Sequence, residues 1–199
     1  MIKELTLDET REIYKKYMMK DFPPGERRPL ISIEKMWEDG CYFGYGYYDE
    51  GEFYGYALFC AAPGAKDGLL EYLAMTESSR GKGKGSAFLK ELATIEREWN
   101  AIILETEDAD FAETEAELAE RTRRDRFYEK AGVKLSSFRS EVFGVKYRLW
   151  YLQLCNIASE QEYGEEYVKT YRYIFERMNQ KDKFLMYDKG NENFETIRM

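Results

Sequence analysis

Along the chain, hydrophobic positions recur with two different periods, and the change from one to the other marks out the elements. "MIKELT" alternates like a short strand, and Asp8 can then cap a helix through about Met19, with Ile13 and Tyr17 on one side. "DFPPGERRPL" breaks that helix, because two prolines and a glycine cannot continue it. A second short helix is expected near Ile33 to Trp37, ending at Gly40. "CYFGYGYY" and "EFYGYALFC" flank "DEGE" and read as a hairpin of aromatic-rich strands about a glycine-containing turn. "LLEYLAM" (Leu69 to Met75) is a further strand. Phe88, Leu92, Ile95 and Trp99 follow at helical spacing.

The second half shows both periods as well. "AIILETE" is apolar and rich in β-branched residues, as a buried strand should be. Phe111 to Lys130 is polar and helical, with Gly132 placed to end it. "VKLSSFRSEV" and "VKYRLWYLQL" read as paired strands around Gly144. Ser159 and Glu162 form a capping box ahead of a helix whose stripe is Tyr163, Tyr167 and Tyr171. The tail "KGNENFETIRM" carries weak structure signals. Without repeats or an evident linker, one α/β domain with a C-terminal extension is the economical reading of 199 residues.

Composition narrows the chemistry. Thirty basic against thirty-eight acidic residues give a net charge of −8, which repels nucleic acid and suits a cationic substrate. No apolar run approaches the ~20 residues that span a bilayer, and the N-terminus lacks a signal-peptide core. These features lead to the expectation of a cytoplasmic protein that engages neither membrane nor nucleic acid. Cys41, Cys60 and Cys155 are far apart and odd in number, so no disulfide framework follows. Cys41 and Cys60 border strands and read as small buried apolar residues. The chain has no histidine, which removes Ser-His-Asp and Cys-His catalysis and the usual zinc sites. No metal is expected, and acid–base work must come from Glu, Asp, Tyr, Lys or Cys.

The junction "SSRGKGKGSAFLKELA" stands out. A glycine-rich turn between strand and helix offers free backbone N–H groups at the positive end of the helix dipole, an arrangement that binds phosphate oxygens. Arg80, Lys82 and Lys84 add charge, although a surface loop with incidental lysines reads the same way. A Walker A motif fails because Gly85 follows Lys84, and a dinucleotide fingerprint fails at Ser86. The pattern Arg/Gln-x-x-Gly-x-Gly/Ala is filled by Arg80, Gly83 and Gly85. It is similar to the pyrophosphate loop of the GNAT (Gcn5-related N-acetyltransferase) family. Downstream, "RFYEKAGVKL" resembles the family's Tyr-Glu-Lys-x-Gly signature, with Val133 where Phe is usual. The resemblance covers roughly Ile2 to Leu154.

The resemblance implies a GNAT fold: a mixed, mostly antiparallel central sheet flanked by helices. The catalytic domain would span residues 1–155. Residues 156–199 would form a helical extension packed on the same domain or on a partner subunit, which leaves a homodimer open. It implies acetyl-CoA as co-substrate and an amine as acceptor. Arg80, Gly81, Lys82, Gly83, Lys84, Gly85 and Ser86 would cradle the CoA pyrophosphate. Leu73, Ala74 and Met75 would pair with pantetheine, their backbone N–H groups polarising the thioester carbonyl. Tyr128 is the candidate proton donor to the departing thiolate, since a phenol holds its proton at neutral pH.

Glu71 is the candidate base. A carboxylate inside an apolar strand is costly unless solvated or paired, so it either serves a wet cleft or pairs with a basic neighbour. Glu105 and Asp108 are its runners-up, or attract a cationic acceptor. Many family members carry Asn seven residues before the helix tyrosine; Arg121 stands there instead. Arg124 shares the helix face of Tyr128 and is a candidate CoA contact. For the other arginines of this cluster, pairing with Glu117 and Glu120 at helical spacing is the simpler reading. A non-catalytic GNAT-fold module that senses CoA or acts as a scaffold is the alternative to an enzyme.

Overall fold

A computed structural model describes residues 1–154, 159–178 and 184–188. Cys155 and the tail from Lys189 lie outside the described residues. The fold is α/β, with mostly antiparallel strands and flanking helices, and the chain forms two compact units. The first comprises Met1–Pro63 with Leu70–Ile95, the second Gly64–Leu69 with Glu96–Met199.

In the first unit, β1 (Ile2–Glu4), β2 (Tyr42–Asp49), β3 (Glu52–Cys60) and the Leu70–Met75 part of β4 (Asp67–Met75) follow one another in sheet order. β1 pairs antiparallel with β2 and β2 with β3. The β2–β3 turn places Glu50 and Gly51 at positive φ (50° and 82°), the geometry a two-residue hairpin needs to match strand twist. Buried Tyr42, Tyr45, Phe59 and Phe88 fill the core, with the Tyr47 ring stacked on Phe88. Cys41 and Cys60 are buried free thiols.

The first helix begins two residues earlier than expected. Thr6, not Asp8, is its cap: Thr6 Oγ1 accepts from the Glu9 N–H, and the Glu9 carboxylate accepts from the Thr6 N–H. Asp8 instead pairs with Arg11 one turn on. Helix α1 (Leu7–Ile13) continues through a π-helical turn at Tyr14–Met18 into α2 (Met19–Asp21). α3 runs from Leu30 to Glu38, and Gly40 at φ 68° lets the chain leave it.

α4 (Lys84–Leu92) is shorter than its hydrophobic spacing suggests. Thr94 ends it by folding its hydroxyl back onto the Glu91 carbonyl (2.7 Å). Trp99 therefore belongs to no helix. It is buried in the second unit against Gly68, where a Cβ would come within 2.3 Å of the indole.

In the second unit the strand order is β5 (Ala101–Glu107), β7 (Val145–Gln153), β6 (Lys134–Val142), β8 (Phe184–Asp188), all antiparallel. α5 spans Glu115–Lys130, not Phe111 onward, because Ala109–Phe111 is a separate 3-10 turn and Thr114 supplies the cap. α6 (Glu160–Met178) starts at the Ser159–Glu162 box, and Tyr163, Tyr167 and Tyr171 are buried. The extension is not purely helical, since β8 pairs along β6. Among the described residues no helix is long and apolar enough to cross a membrane.

Asp67 opens β4 and is 2% exposed. Its Oδ1 accepts the Ala101 N–H at 3.0 Å. Burial pushes its carboxyl up to about 7, against the hydrogen bond from Ala101, with Glu166 and Glu162 adding to the rise. Because the folded value lies above the unfolded one, the unfolded chain loses this proton first as pH rises. Stability should therefore fall between about pH 4 and pH 7, then level off, by about 4 kcal/mol in all. Asp67→Asn keeps an acceptor for Ala101 and should remove that slope, read by denaturant unfolding at pH 5 and pH 8.

Candidate functional site

The first unit carries the glycine-rich junction. β4 ends at Met75, and a 3-10 turn (Glu77–Ser79) leads into the loop. Ser79, 1% exposed, pins that turn: its hydroxyl donates towards the Tyr54 and Thr76 carbonyls at 2.9 and 2.8 Å. Gly81 and Gly83 then adopt φ of 74° and 73°, a region that side-chain-bearing residues rarely enter. Gly83 is the N-cap of α4, and no side chain among the described residues caps the helix. The N–H groups of its first turn thus keep their donor capacity, at the positive end of the helix dipole. A Cβ at Gly81 or Gly83 would meet nothing within 4 Å, so the space beside the loop is open.

The cations around the loop have distinct employments. Arg80 donates from Nε to the Met75 carbonyl (3.0 Å) and from a terminal nitrogen to Asp21 (2.8 Å). It thereby ties the loop to the end of α2. Asp21 also accepts from the Tyr56 hydroxyl at 3.1 Å. Lys84 pairs with Asp49 and lies over the Tyr54 ring, 4.9 Å from its centroid. Lys82 is exposed and has no ion-pair partner among the described residues. Gly85 and Ser86 lie in the first turn of α4.

β4 alternates. Tyr72 and Ala74 are buried, while Glu71, Leu73 and Met75 share the half-buried face. Glu71 is paired, as one of its two sequence readings had it. Arg28 grips it with Nε at 2.9 Å and a terminal nitrogen at 2.5 Å, and the Tyr42 hydroxyl donates at 2.7 Å. The Arg28 backbone N–H donates to the Tyr72 hydroxyl (2.7 Å), which itself donates to the Glu26 carbonyl (2.9 Å). Burial alone would lower the Arg28 pKa, but the charge and hydrogen bonds of Glu71 outweigh it and raise it. Burial, with Glu71 adding to it, likewise raises Tyr42. The Ala74 carbonyl lies where a Cβ on Gly55 would come within 2.6 Å, so only glycine allows β3 to approach there.

The second unit carries Tyr128 and Arg124 on α5. Tyr128 is 9% exposed, packed edge-on against Phe127 and tilted against Trp150. Its hydroxyl makes no hydrogen bond to the described residues. Burial pushes its pKa up to about 12, against the lowering charge of Arg124. Arg124 itself pairs with Glu120 (3.2 Å), one turn earlier. Arg121 donates to the Asp108 carbonyl (3.0 Å) and lies near Glu107 and Glu117.

Glu105 and Asp108 are heavily engaged. Glu105 accepts from the Tyr167, Tyr171 and Ser140 hydroxyls. Asp108, 1% exposed, takes Arg139 at 3.0 Å and Arg148 at 2.6 Å. Arg148 also reaches Asp110 (2.9 Å) and Asp125 (2.8 Å).

Sequence reasoning missed Arg28, Tyr42, Asp21 and Ser79. Arg28 sits in a proline-broken loop and Asp21 at its edge, where no periodicity announces a partner. A lone carboxylate in an apolar strand signalled that Glu71 needs a partner but could not name it.

The donor set suits a pyrophosphate: backbone N–H groups at the start of α4, space open of the described residues, and Lys82, which has no ion-pair partner among them. A search of curated proteins by sequence finds no match. The model of the acetyltransferase (GNAT) family matches residues 7–132. Solved structures share the fold at low sequence identity. A Bacteroides thetaiotaomicron protein described as an acetyltransferase of the GNAT family superposes with a TM-score of 0.69 at 18% identity, over 88% of this chain and 98% of that one. The Vibrio cholerae spermidine/spermine N-acetyltransferase SpeG, solved in mutant forms, gives a TM-score of 0.55 at 11% identity, over 77% and 94%. The Salmonella typhimurium acetyltransferase yncA, solved with its cofactor acetyl-CoA, gives 0.52 at 16% identity, over 80% and 96%. With the family model matching more than half of its length, the chain belongs to the acetyltransferase (GNAT) family and is an acyltransferase of that class.

Proposed function

We propose that this protein is an acetyl-CoA-dependent N-acetyltransferase that acetylates a primary amine of a small molecule or peptide by direct attack on the thioester. The observation that carries this reading is the uncapped start of α4, entered through Gly81 and Gly83 in the left-handed region. The N–H groups of Lys84, Gly85 and Ser86, with Lys82 beside them, would hold the CoA pyrophosphate. Arg80 acts indirectly, by fixing the loop to Met75 and Asp21. Leu73, Ala74 and Met75 would line pantetheine, and Arg124 would contact the CoA phosphates on release from Glu120. The net charge of −8 favours a cationic acceptor, and one structural neighbour, SpeG, is a spermidine/spermine N-acetyltransferase.

Two protons must move. The acceptor ammonium loses one before its nitrogen lone pair forms the C–N bond. The C–S bond then breaks, sulfur takes its electron pair, and the nitrogen sheds its second proton to solvent. Tyr128 remains protonated far above neutral pH and donates a hydrogen bond to the departing sulfur. A phenol this weak as an acid stabilises the thiolate without surrendering its proton completely, and solvent supplies the rest. Glu71 receives the first amine proton through water and passes it on to solvent, while Arg28 and Tyr42 hold its carboxylate in place.

The primary test is calorimetry with acetyl-CoA and ATP, followed by thiol release over polyamines, aminoglycosides, amino acids and peptide N-termini. ATP binding without CoA binding would sink the proposal. CoA binding without turnover would favour the sensor. Gly83→Val forces a β-branched residue to φ 73° and should weaken acetyl-CoA binding by about tenfold or more. Tyr128→Phe should lower kcat by about a hundredfold with acetyl-CoA affinity unchanged, and no alkaline limb below about pH 10 should belong to Tyr128. Glu71→Gln should lower kcat at saturating acetyl-CoA, as expected of a carboxylate that relays the amine proton. It also leaves Arg28 without its counter-charge, at a stability cost of about 2–4 kcal/mol, read by urea unfolding.

A further inference from the structure

The hydroxyl of Tyr128 has no hydrogen-bond partner among the described residues, so packing of its ring alone fixes where the O–H points. Phe127, its chain neighbour, lies 5.1 Å from that ring, and across from α5 the ring meets Trp150 on β7, 1% exposed, with ring centroids 6.2 Å apart and planes tilted by 40°. A buried indole N–H needs an acceptor, and Trp150 Nε1 donates to Thr106 Oγ1 on β5 at 2.8 Å. The ladder places Thr106 opposite Arg148, two residues from Trp150, so the pair is diagonal across adjacent strands. Thr106 has one hydroxyl proton and donates it to Asp125 Oδ1 at 3.0 Å. Asp125, 6% exposed, lies on α5 three residues before Tyr128, and its other oxygen takes Arg148 at 2.8 Å.

These contacts close a ring: Tyr128, Trp150, Thr106, Asp125, and back along α5 to Tyr128. Its polar links run in one direction, since the Thr106 hydroxyl accepts from the indole and donates to the carboxylate. Rotating Trp150, Thr106 or Asp125 breaks a hydrogen bond in a buried setting, where an unpaired donor or acceptor is costly, and removes the support on which the Tyr128 ring rests. A buried carboxylate here is an expensive way to hold a helix on a sheet, because apolar residues of similar volume usually do so at lower cost. Its return is a single geometry.

We infer that Thr106, acting through Trp150 and Asp125, is a positioning residue that sets the direction of the Tyr128 hydroxyl. The inference rests on the proposed role of Tyr128 as the donor to the departing thiolate. Misplacing a reacting group by a fraction of an ångström costs turnover and leaves binding of the remote parts of the substrate intact.

The test uses acetyl-CoA and the fastest acceptor of the amine panel, with Thr106→Val, Thr106→Ser, Trp150→Phe, Tyr128→Phe and the Thr106→Val/Tyr128→Phe double variant. Thr106→Val should lower kcat by about ten- to a hundredfold while KM for acetyl-CoA stays within about twofold. Thr106→Ser, which keeps the hydroxyl, should restore most of the rate. Trp150→Phe, which removes only the link's N–H and one ring, should show the same loss as Thr106→Val, and circular dichroism reports whether each variant folds. In the Tyr128→Phe background, Thr106→Val should have no further effect on kcat. An unchanged kcat in Thr106→Val, or a full additional loss in the double variant, overturns the inference while the role of Tyr128 stands. A wild-type rate in Tyr128→Phe, or no turnover of any amine by the unaltered protein, overturns that role and the inference together.

Discussion

A charge taken out of water must be neutralised where it sits, and much of the polar architecture here answers that constraint. In the first unit, Glu71 stands in an apolar strand and is held by Arg28 and Tyr42. Asp21 is met by Arg80 and Tyr56. In the second unit, Asp108 and Asp125 share Arg148, and Arg139 closes the cluster. Because these pairings run between distant parts of the chain, they fix loops and helices that hydrophobic contact alone would leave free to slide.

The glycine loop is defined against this background. Arg80 and Lys84 are committed to carboxylates, so their charge stabilises the loop's shape more than it reaches outward. What remains for a ligand is backbone: the first turn of α4, uncapped, with open space beside Gly81 and Gly83. Backbone donors lose no rotamer entropy when they bind, and two left-handed glycines hold them in one curve.

Much of this was legible in the sequence, for reasons that can be named. The hairpin at Glu50–Gly51, the strand Ala101–Glu107, the end of α5 at Gly132 and the cap of α6 at Ser159 all follow from local rules of period, turn and cap. Errors arose where two local signals competed. Thr6 and Asp8 are both cap residues, and only Thr6 has Glu three positions on. Phe88, Leu92, Ile95 and Trp99 keep helical spacing, yet Thr94 ends α4 and Trp99 packs on Gly68 in a different setting. β8 was missed because the run Phe184–Asp188 is only five residues long and becomes a strand by pairing along β6.

The sequence by itself determined the elements, the family signature and the residue types from which chemistry must be drawn: no histidine, a spaced glycine loop, a tyrosine in Tyr-Glu-Lys-x-Gly. These depend on neighbours within a turn or a strand, which a linear reading can see. Only the tertiary structure decided which charges are free. That Arg28 occupies Glu71, that Arg80 is spent on Asp21 and Met75, and that Tyr128 leans on a hydrogen-bonded Trp150 all depend on residues 5 to 59 positions apart within their units. Electrostatics and packing act through space, and the chain's order carries no measure of that distance.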